Sequence, residues 1–328
     1  MTASAVIIEV DGLSKRFGKI EAVKGVTFGV QPGEIFGFLG PNGAGKTTTI
    51  NMLCTLLTPS AGSARVNGFD VVHQRSEVRR SIGLVFQQTT LDEYLSADQN
   101  LRFHAYAYAI PAELRERRMT ELMEMVDLAD RRSGSVRTYS GGMKRRLEIA
   151  RGLLHHPRVL FLDEPTLGLD PQTRRHIWDY LLRLREQEGL TIFLTTHYMD
   201  EAEFSDRIAV IDHGRIVGLG TPDGLKRDVG GDLLTVRTPD APAAAAEIRE
   251  RYAAEVSVRD DMVSFSVANG EEFLPDFVKR FGHPMQSIAV RRPTLDDVFL
   301  HLTGREIRDA ELDPQAQMLQ GMARRFHG

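Results

Sequence analysis

The run Gly40-Pro41-Asn42-Gly43-Ala44-Gly45-Lys46-Thr47 lies between the apolar stretch Glu34–Leu39 and the segment Lys46–Leu57. The first flank reads as a buried strand and the second as a helix, so the glycines occupy the turn between them. Glycines there let backbone N–H groups converge on an anion that a Cβ would obstruct. The following helix points its positive N-terminal end at the same place. The spacing fits G-x-x-x-x-G-K-[ST], in which Lys46 reaches the β- and γ-phosphates and the Thr47 hydroxyl ligates Mg2+. Asn42, Gly43 and Gly45 belong to the same cradle, and Thr48 adds a further hydroxyl contact to a phosphate. The expectation is a chain that binds ATP with Mg2+ and hydrolyses it.

Downstream, Val159-Leu160-Phe161-Leu162-Asp163-Glu164 is an apolar strand ending in two carboxylates. A buried strand of the same sheet delivers Asp163 beside the turn to hold Mg2+ and leaves Glu164 to polarise the attacking water. The surrounding pattern is α/β. Ser63–Asn67 and Ile82–Phe86 read as short strands, Pro171–Gln187 as a helix and Leu190–Thr195 as a strand. Arg207–Ile211 and Arg215–Leu219 read as a hairpin turned at His213-Gly214. Strand signals stop from about Leu95 to Leu154. There Met119, Leu122, Met123 and Val126 fall at i, i+3, i+4 and i+7, the apolar face of a helix entered near Pro111. That face is expected to pack into a core, and the segment to form a helical insertion.

With 328 residues the chain has room for two compact units, taking roughly 100–200 residues for each. A 42% hydrophobic and 26% charged composition is ordinary for a globular chain. A net charge of −4 gives no electrostatic basis for broad nucleic-acid binding. The basic triplet Lys144-Arg145-Arg146 reads as a solvated helix face. Cys54 is the only cysteine, which excludes an intramolecular disulfide, and it reads as a small core residue. Met1–Val10 lacks the basic start and apolar run of a secretion signal, and no run approaches the roughly 20 apolar residues that span a bilayer. A chain on the cytoplasmic side is expected, reaching a membrane only through a partner.

Tyr139-Ser140-Gly141-Gly142-Met143 precedes the Asp163-Glu164 strand, and with it the elements fall into a known order. The chain resembles the nucleotide-binding subunits of ABC transporters, whose LSGGQ signature is matched with Tyr139 for Leu and Met143 for Gln. The resemblance implies a P-loop NTPase ABC cassette over residues 5–228. Its parts are a RecA-like α/β core, an antiparallel β subdomain and a helical subdomain at about 95–154. It implies a homodimer closed head to tail around ATP, in which Ser140 and the N–H groups of Gly141 and Gly142 face the γ-phosphate held by the other copy. It also implies that Phe17 stacks on adenine, and that Gln87 senses Mg2+ and the attacking water. Asp170, in Gly168-Leu169-Asp170, is placed at the dimer interface, and His197, after Thr195-Thr196, against the γ-phosphate. Met143 departs from the family's polar residue and removes a contact usually available there.

Gly230-Gly231 marks a boundary, after which residues 232–304 read as a separate α+β domain. Strand Leu233–Arg237, helix Ala241–Tyr252, a hairpin of Val256–Arg259 and Met262–Val267, helix Glu271–Phe281 and strand Gln286–Arg291 give the βαββαβ order of a ferredoxin-like unit. A last helix carries Leu295, Val298, Phe299 and Leu302 between Thr294 and Gly304. Residues 305–328 form a polar tail. The stretch Arg292-Pro293-Thr294-Leu295-Asp296-Asp297-Val298-Phe299-Leu300 resembles the ending of daunorubicin/doxorubicin-resistance-type exporter ATPases. This implies export of a drug, antibiotic or lipid-like substrate through a separate multi-span membrane permease, with this chain peripheral at the cytoplasmic face of the cell membrane. The rival expectation is a soluble ABC-type ATPase acting on ribosomes or DNA. Such members carry tandem cassettes or a long coiled coil, neither of which is present in this sequence, and no nucleic acid partner is expected.

Overall fold

The computed structural model describes residues 6–254 and 256–305. The chain divides into two compact units, one up to Leu219 and one from Gly220. Apart from Arg305, the polar tail expected at the C-terminus lies outside the described residues.

The first unit opens with two long strands, β1 (Ile8–Phe17) and β2 (Ile20–Val30), then β3 (Ile35–Leu39) and helix α1 (Lys46–Leu53). Next come β4 (Ala61–Val66), β5 (Phe69–Asp70), α2 (Arg75–Ser81) and β6 (Ile82–Val85). Three helices follow, α3 (Ala97–Ala107), α4 (Ala112–Met125) and α5 (Gly141–Leu153). The chain then alternates through β7 (Val159–Asp163), α6 (Pro171–Glu188), β8 (Thr191–Thr196), the single turn α7 (Met199–Ala202), β9 (Arg207–Asp212) and β10 (Arg215–Gly220).

These strands form an antiparallel sheet ordered β2-β1-β4-β5 and a larger one ordered β10-β9-β3-β8-β7-β6. In the larger sheet β3 runs parallel to β8 and β9, and β7 parallel to β8 and β6. Every residue of β3, β7 and β8 is buried, as both-face coverage of a parallel sheet requires. The two sheets meet through phenylalanines. The ring of Phe28 on β2 stacks on Phe36 at 5.3 Å, Phe36 on Phe193 at 5.6 Å, and Phe161 tilts against Phe193 at 5.4 Å. Burying each such ring contributes about 1.5–3 kcal/mol. His213 and Gly214 both have positive φ, +45° and +78°, in the two-residue turn of the β9–β10 hairpin, the backbone that matches strand twist.

The Met-rich face of α4 is core: Met119, Leu122, Met123 and Val126 are all buried in a cluster with Leu101, Leu147 and Trp178. Helix α1 ends sooner than the sequence pattern suggests, at Leu53, because Thr55 turns to φ +64°. Cys54 caps it and is buried against the sheet, where burial, then the nearby Asp163 charge, push its thiol well above the usual range. Among the described residues no helix is long and apolar enough to cross a membrane.

The second unit contains α8 (Pro222–Asp228), β11 (Asp232–Arg237), α9 (Ala241–Tyr252), β12 (Val256–Arg259), β13 (Met262–Val267), α10 (Gly270–Arg280), β14 (Ser287–Arg291) and α11 (Leu295–Thr303). Its antiparallel sheet runs β12-β13-β11-β14, so the four strands lie second, third, first, fourth, the split βαβ arrangement. Its core gathers Leu234, Val236, Ile248, Val263, Phe265 and Phe277. Thr294 caps α11 in a reciprocal box with Asp297, and α11 packs on α8.

Candidate nucleotide site

Because β3, β6, β7 and β8 are parallel, their C-terminal ends emerge along one edge of the sheet. That edge is where an open α/β sheet binds ligands. It delivers the glycine turn after β3, Gln87 after β6, Asp163 and Glu164 from β7, and His197 after β8.

Helix α1 starts from Gly45 at φ +109° with no side chain capping it. A Cβ on Gly45 would stand 2.7 Å from the Ala22 carbonyl oxygen, so only glycine fits. The first-turn N–H groups therefore suit an anion rather than a side-chain cap. Lys46 is buried, donating to the carbonyls of Gly40 (2.7 Å) and Pro41 (3.1 Å) and lying 3.2 Å from Glu164 Oε1. Thr47 Oγ1 donates to Asp163 Oδ1 at 3.3 Å, and Thr195 Oγ1 donates to the same oxygen at 2.5 Å.

Glu164 is the hub. Gln87 Nε2 donates to its Oε2 at 2.8 Å, and His197 Nδ1 stands 3.3 Å from Oε1. Its backbone takes φ +46°, an uncommon left-handed conformation for a glutamate, while its N–H reaches the carbonyl and hydroxyl of Thr195 at 3.2 and 3.1 Å. Burial drives the Glu164 carboxyl upward, but the His197 hydrogen bond and the Lys46 charge overcome it and bring it down to about 2. Asp163 moves the other way, raised by burial against the opposing Thr195 bond. Two adjacent carboxyls are thus driven apart by their surroundings.

No three His, Cys, Asp or Glu side chains among the described residues form an all-protein metal cage. Asp163 and Thr47 instead place one carboxyl and one hydroxyl side by side, hard oxygen donors of the kind that suit Mg2+ when substrate phosphates complete its shell.

The remaining residues singled out in the sequence lie partly around the turn and partly away from it. Phe17 is half-buried at the end of β1, with Lys15 Nζ 5.3 Å from its ring centre. Asn42, Gly43 and Thr48 are half-buried around the turn. Ser140 is exposed and caps α5, accepting from Met143 N at 3.3 Å. Gly141 is exposed beside it, and Gly142 is buried where a Cβ would meet Thr173 at 2.4 Å. Met143, the departure from the signature, packs on the helical core. Asp170 is exposed and caps α6, accepting from the N–H and hydroxyl of Thr173 at 3.0 and 2.6 Å.

One reading needs correction. The triplet Lys144-Arg145-Arg146 is not a uniformly solvated face, because Arg145 is buried among carbonyls at the C-terminal edge of the parallel sheet. Lys144 pairs with Glu93 at 2.5 Å, and Arg146 reaches the Val126 carbonyl at 2.7 Å. The sequence reading also passed over Thr195 and Glu201. Glu201 is buried, accepts from the Thr166 hydroxyl and, at 2.7 Å, from that of Thr196, and is raised by burial to about 7. The usable signal for Arg145 was Glu148 three residues on, a carboxylate inside the apolar run Leu147–Ala150.

The family model described as ABC transporter matches residues 23–167, and that described as ATP-binding protein DrrA1-3-like, C-terminal domain, matches residues 220–303. The chain is 44% identical over 310 residues to the daunorubicin resistance ATP-binding protein DrrA3 of Streptomyces coeruleorubidus, covering 93% of this chain and 98% of that one. It is 40% identical over 315 residues to the Nod factor export ATP-binding protein I of Ralstonia nicotianae, covering 93% and 96%. Among solved structures it is similar to the dimeric post-hydrolysis state of the ATP-binding cassette MJ0796 bound to ADP and Pi. That match has a TM-score of 0.59 at 29% identity over 65% of this chain and 98% of the other.

Proposed function

The chain belongs to the ATP-binding subunits of ABC transporters and within them resembles the DrrA-type daunorubicin/doxorubicin resistance ATPases; from this we infer that it hydrolyses ATP to power export of a drug, antibiotic or lipid-like molecule through a separate multi-span permease. The observation that carries the catalytic part is the triple hold on Glu164 by Lys46, Gln87 and His197.

Lys46 and the N-terminus of α1 bind the β- and γ-phosphates, with Asn42, Gly43, Gly45 and Thr48 completing the cradle and Phe17 stacking on adenine. Thr47, Asp163 and Gln87 hold Mg2+, which supplies charge neutralisation at the phosphate oxygens when bound. Glu164, ionised across the physiological range, accepts the proton of the attacking water. His197 fixes the Glu164 carboxylate from one side and Gln87 from the other. Ser140, Gly141, Gly142 and Asp170 serve the nucleotide of a second copy in a head-to-tail homodimer.

The segment after Gln87, between Leu91 and Ala109, docks the permease and holds the chain peripherally at the cytoplasmic face of the membrane. Supporting this, Tyr94, Phe103 and Tyr106 are 83%, 73% and 59% exposed, large rings that an isolated surface rarely presents together. Whether the cargo is a drug or a lipid-like molecule is a property of the permease, in keeping with relatives named for daunorubicin resistance in one case and Nod factor export in another.

The test is Glu164→Gln. Steady-state hydrolysis should fall by about 10²–10⁴-fold, the range of a lost general base. ATP should still bind and should trap a dimer visible by gel filtration. Normal turnover in this variant would sink the reading.

A further inference from the structure

Helix α5 reaches two places at once. Its N-terminus carries Ser140-Gly141-Gly142, and little more than one turn further on Arg145 enters the catalytic edge of the sheet, where it is 6% exposed. A guanidinium has five N–H donors in a fixed fork. Here all five directions are used. Nε donates to the Pro165 carbonyl (2.5 Å), Nη1 to the Phe86 carbonyl (2.5 Å) and to Glu148 Oε2 (3.2 Å), and Nη2 to the carbonyls of Asp163 and Glu164 (both 3.1 Å).

Three of those acceptors are the consecutive carbonyls 163–165, flanking the left-handed backbone of Glu164. A glutamate persists in that conformation only when its surroundings over-determine it. The fourth carbonyl belongs to the residue immediately before Gln87. The same face of α5 also holds the far end of that loop. Glu148 Oε1 accepts from Thr90 N at 2.8 Å, and Arg151 Nη1 donates to the Thr90 carbonyl at 2.9 Å. Segment 86–90 and turn 163–165 are therefore fastened to one helix, and the helix start faces outward.

We propose that Arg145 is a positioning residue for hydrolysis: it locks Glu164 and Gln87 to helix α5, so that displacement of the helix start by a second copy is transmitted to the groups that polarise water. This rests on the reading that two copies close on ATP. Arg145 touches no reacting atom, and its effect runs through the backbone carbonyls it holds. Lysine keeps the charge but has three donors on a flexible stem, so it leaves at least two of these acceptors unbonded.

The experiment is Arg145→Lys in the full chain, with turnover, ATP affinity by calorimetry and amide hydrogen exchange measured side by side. The expected result is a kcat at least about tenfold lower with ATP affinity within about threefold, since misplacing catalytic groups costs turnover more than binding. Exchange of amides 86–90 and 163–166 should accelerate, while that of the sheet β11–β14 stays unchanged. An unchanged kcat, unchanged exchange in those two segments, or a parallel loss of kcat, affinity and protection across the whole chain would each overturn the proposal. Should Arg145→Lys fail to fold, Glu148→Gln loosens the Thr90 anchor with Arg145 in place. It should lower kcat in the same direction, and an unaltered kcat there is equally fatal. An unsubstituted protein that hydrolyses no ATP would defeat the ATPase reading itself, and this proposal with it.

Discussion

The surroundings of Glu164 and the start of α5 are both polar segments at the edge of the same unit, but they are satisfied in opposite ways. Lys46, Asp163 and Glu164 are buried, and each bonds to groups from other segments of the chain, so their geometry is set within one copy. Ser140 is exposed and bonds to an amide of its own helix. A buried charge cannot leave its partner without a penalty of several kcal/mol. An exposed cap exchanges for another acceptor at a cost of about 1 kcal/mol. The difference separates a cluster whose geometry is set within one copy from an accessible helix start, the part that the proposed dimer would use.

The contrast can be broken most directly at Lys46. Lys46→Ala should weaken ATP affinity by one to two orders of magnitude, about the value of a charge-assisted hydrogen bond. Calorimetry showing unchanged affinity would mean that the buried cluster is structural and not a phosphate site. Together with Glu164→Gln, which should spare binding, this variant separates holding the nucleotide from cleaving it.

A smaller effect should distinguish the two regions by pH. Glu201 lies behind the buried cluster, bonded to Thr166 and Thr196, and burial raises it from the ordinary 4.5 to about 7. The folded state therefore holds this proton more tightly than the unfolded chain. Its contribution to stability is full below pH 4.5 and is lost as pH rises through about 7. The loss amounts to at most on the order of 3 kcal/mol. Glu201→Gln should flatten the urea-unfolding profile over that window. An identical slope in the variant would show that the titration belongs to another group.

The smallest change is expected at the exposed end. Ser140→Ala should cost about 1 kcal/mol in unfolding experiments, the loss of one cap. Placed on the Glu164→Gln background it should nonetheless reduce the ATP-trapped dimer seen by gel filtration. An equally stable dimer would erase the distinction between the two halves.

Much of this arrangement was legible in local sequence. The glycine turn is punctuated by a strand and a helix, the Asp163-Glu164 pair ends an apolar strand, and His197 follows another, so the parallel sheet brings them to one edge. What escaped was whatever depends on distant segments. Arg145 looked solvated because a basic triplet normally is, and its burial is made tolerable by four carbonyls from two remote segments together with the Glu148 carboxylate one turn on. Glu201 gives no local sign that Thr166 will close over it. The left-handed turn at Glu164 and the early end of α1 at Thr55 arise from tertiary contacts that override propensity. Met143 looked like a lost polar contact and proves to have an apolar one, on the helical core.

The chain's sole thiol gives the fold a clock. Cys54 sits sealed between α1 and the sheet, with its ionisation suppressed by the same packing. Alkylation requires a thiolate and a path to it. The native protein should therefore be inert to maleimides, and its labelling rate should count the excursions in which the wall behind the phosphate loop briefly comes apart. Nucleotide, by bracing that wall, should slow the count.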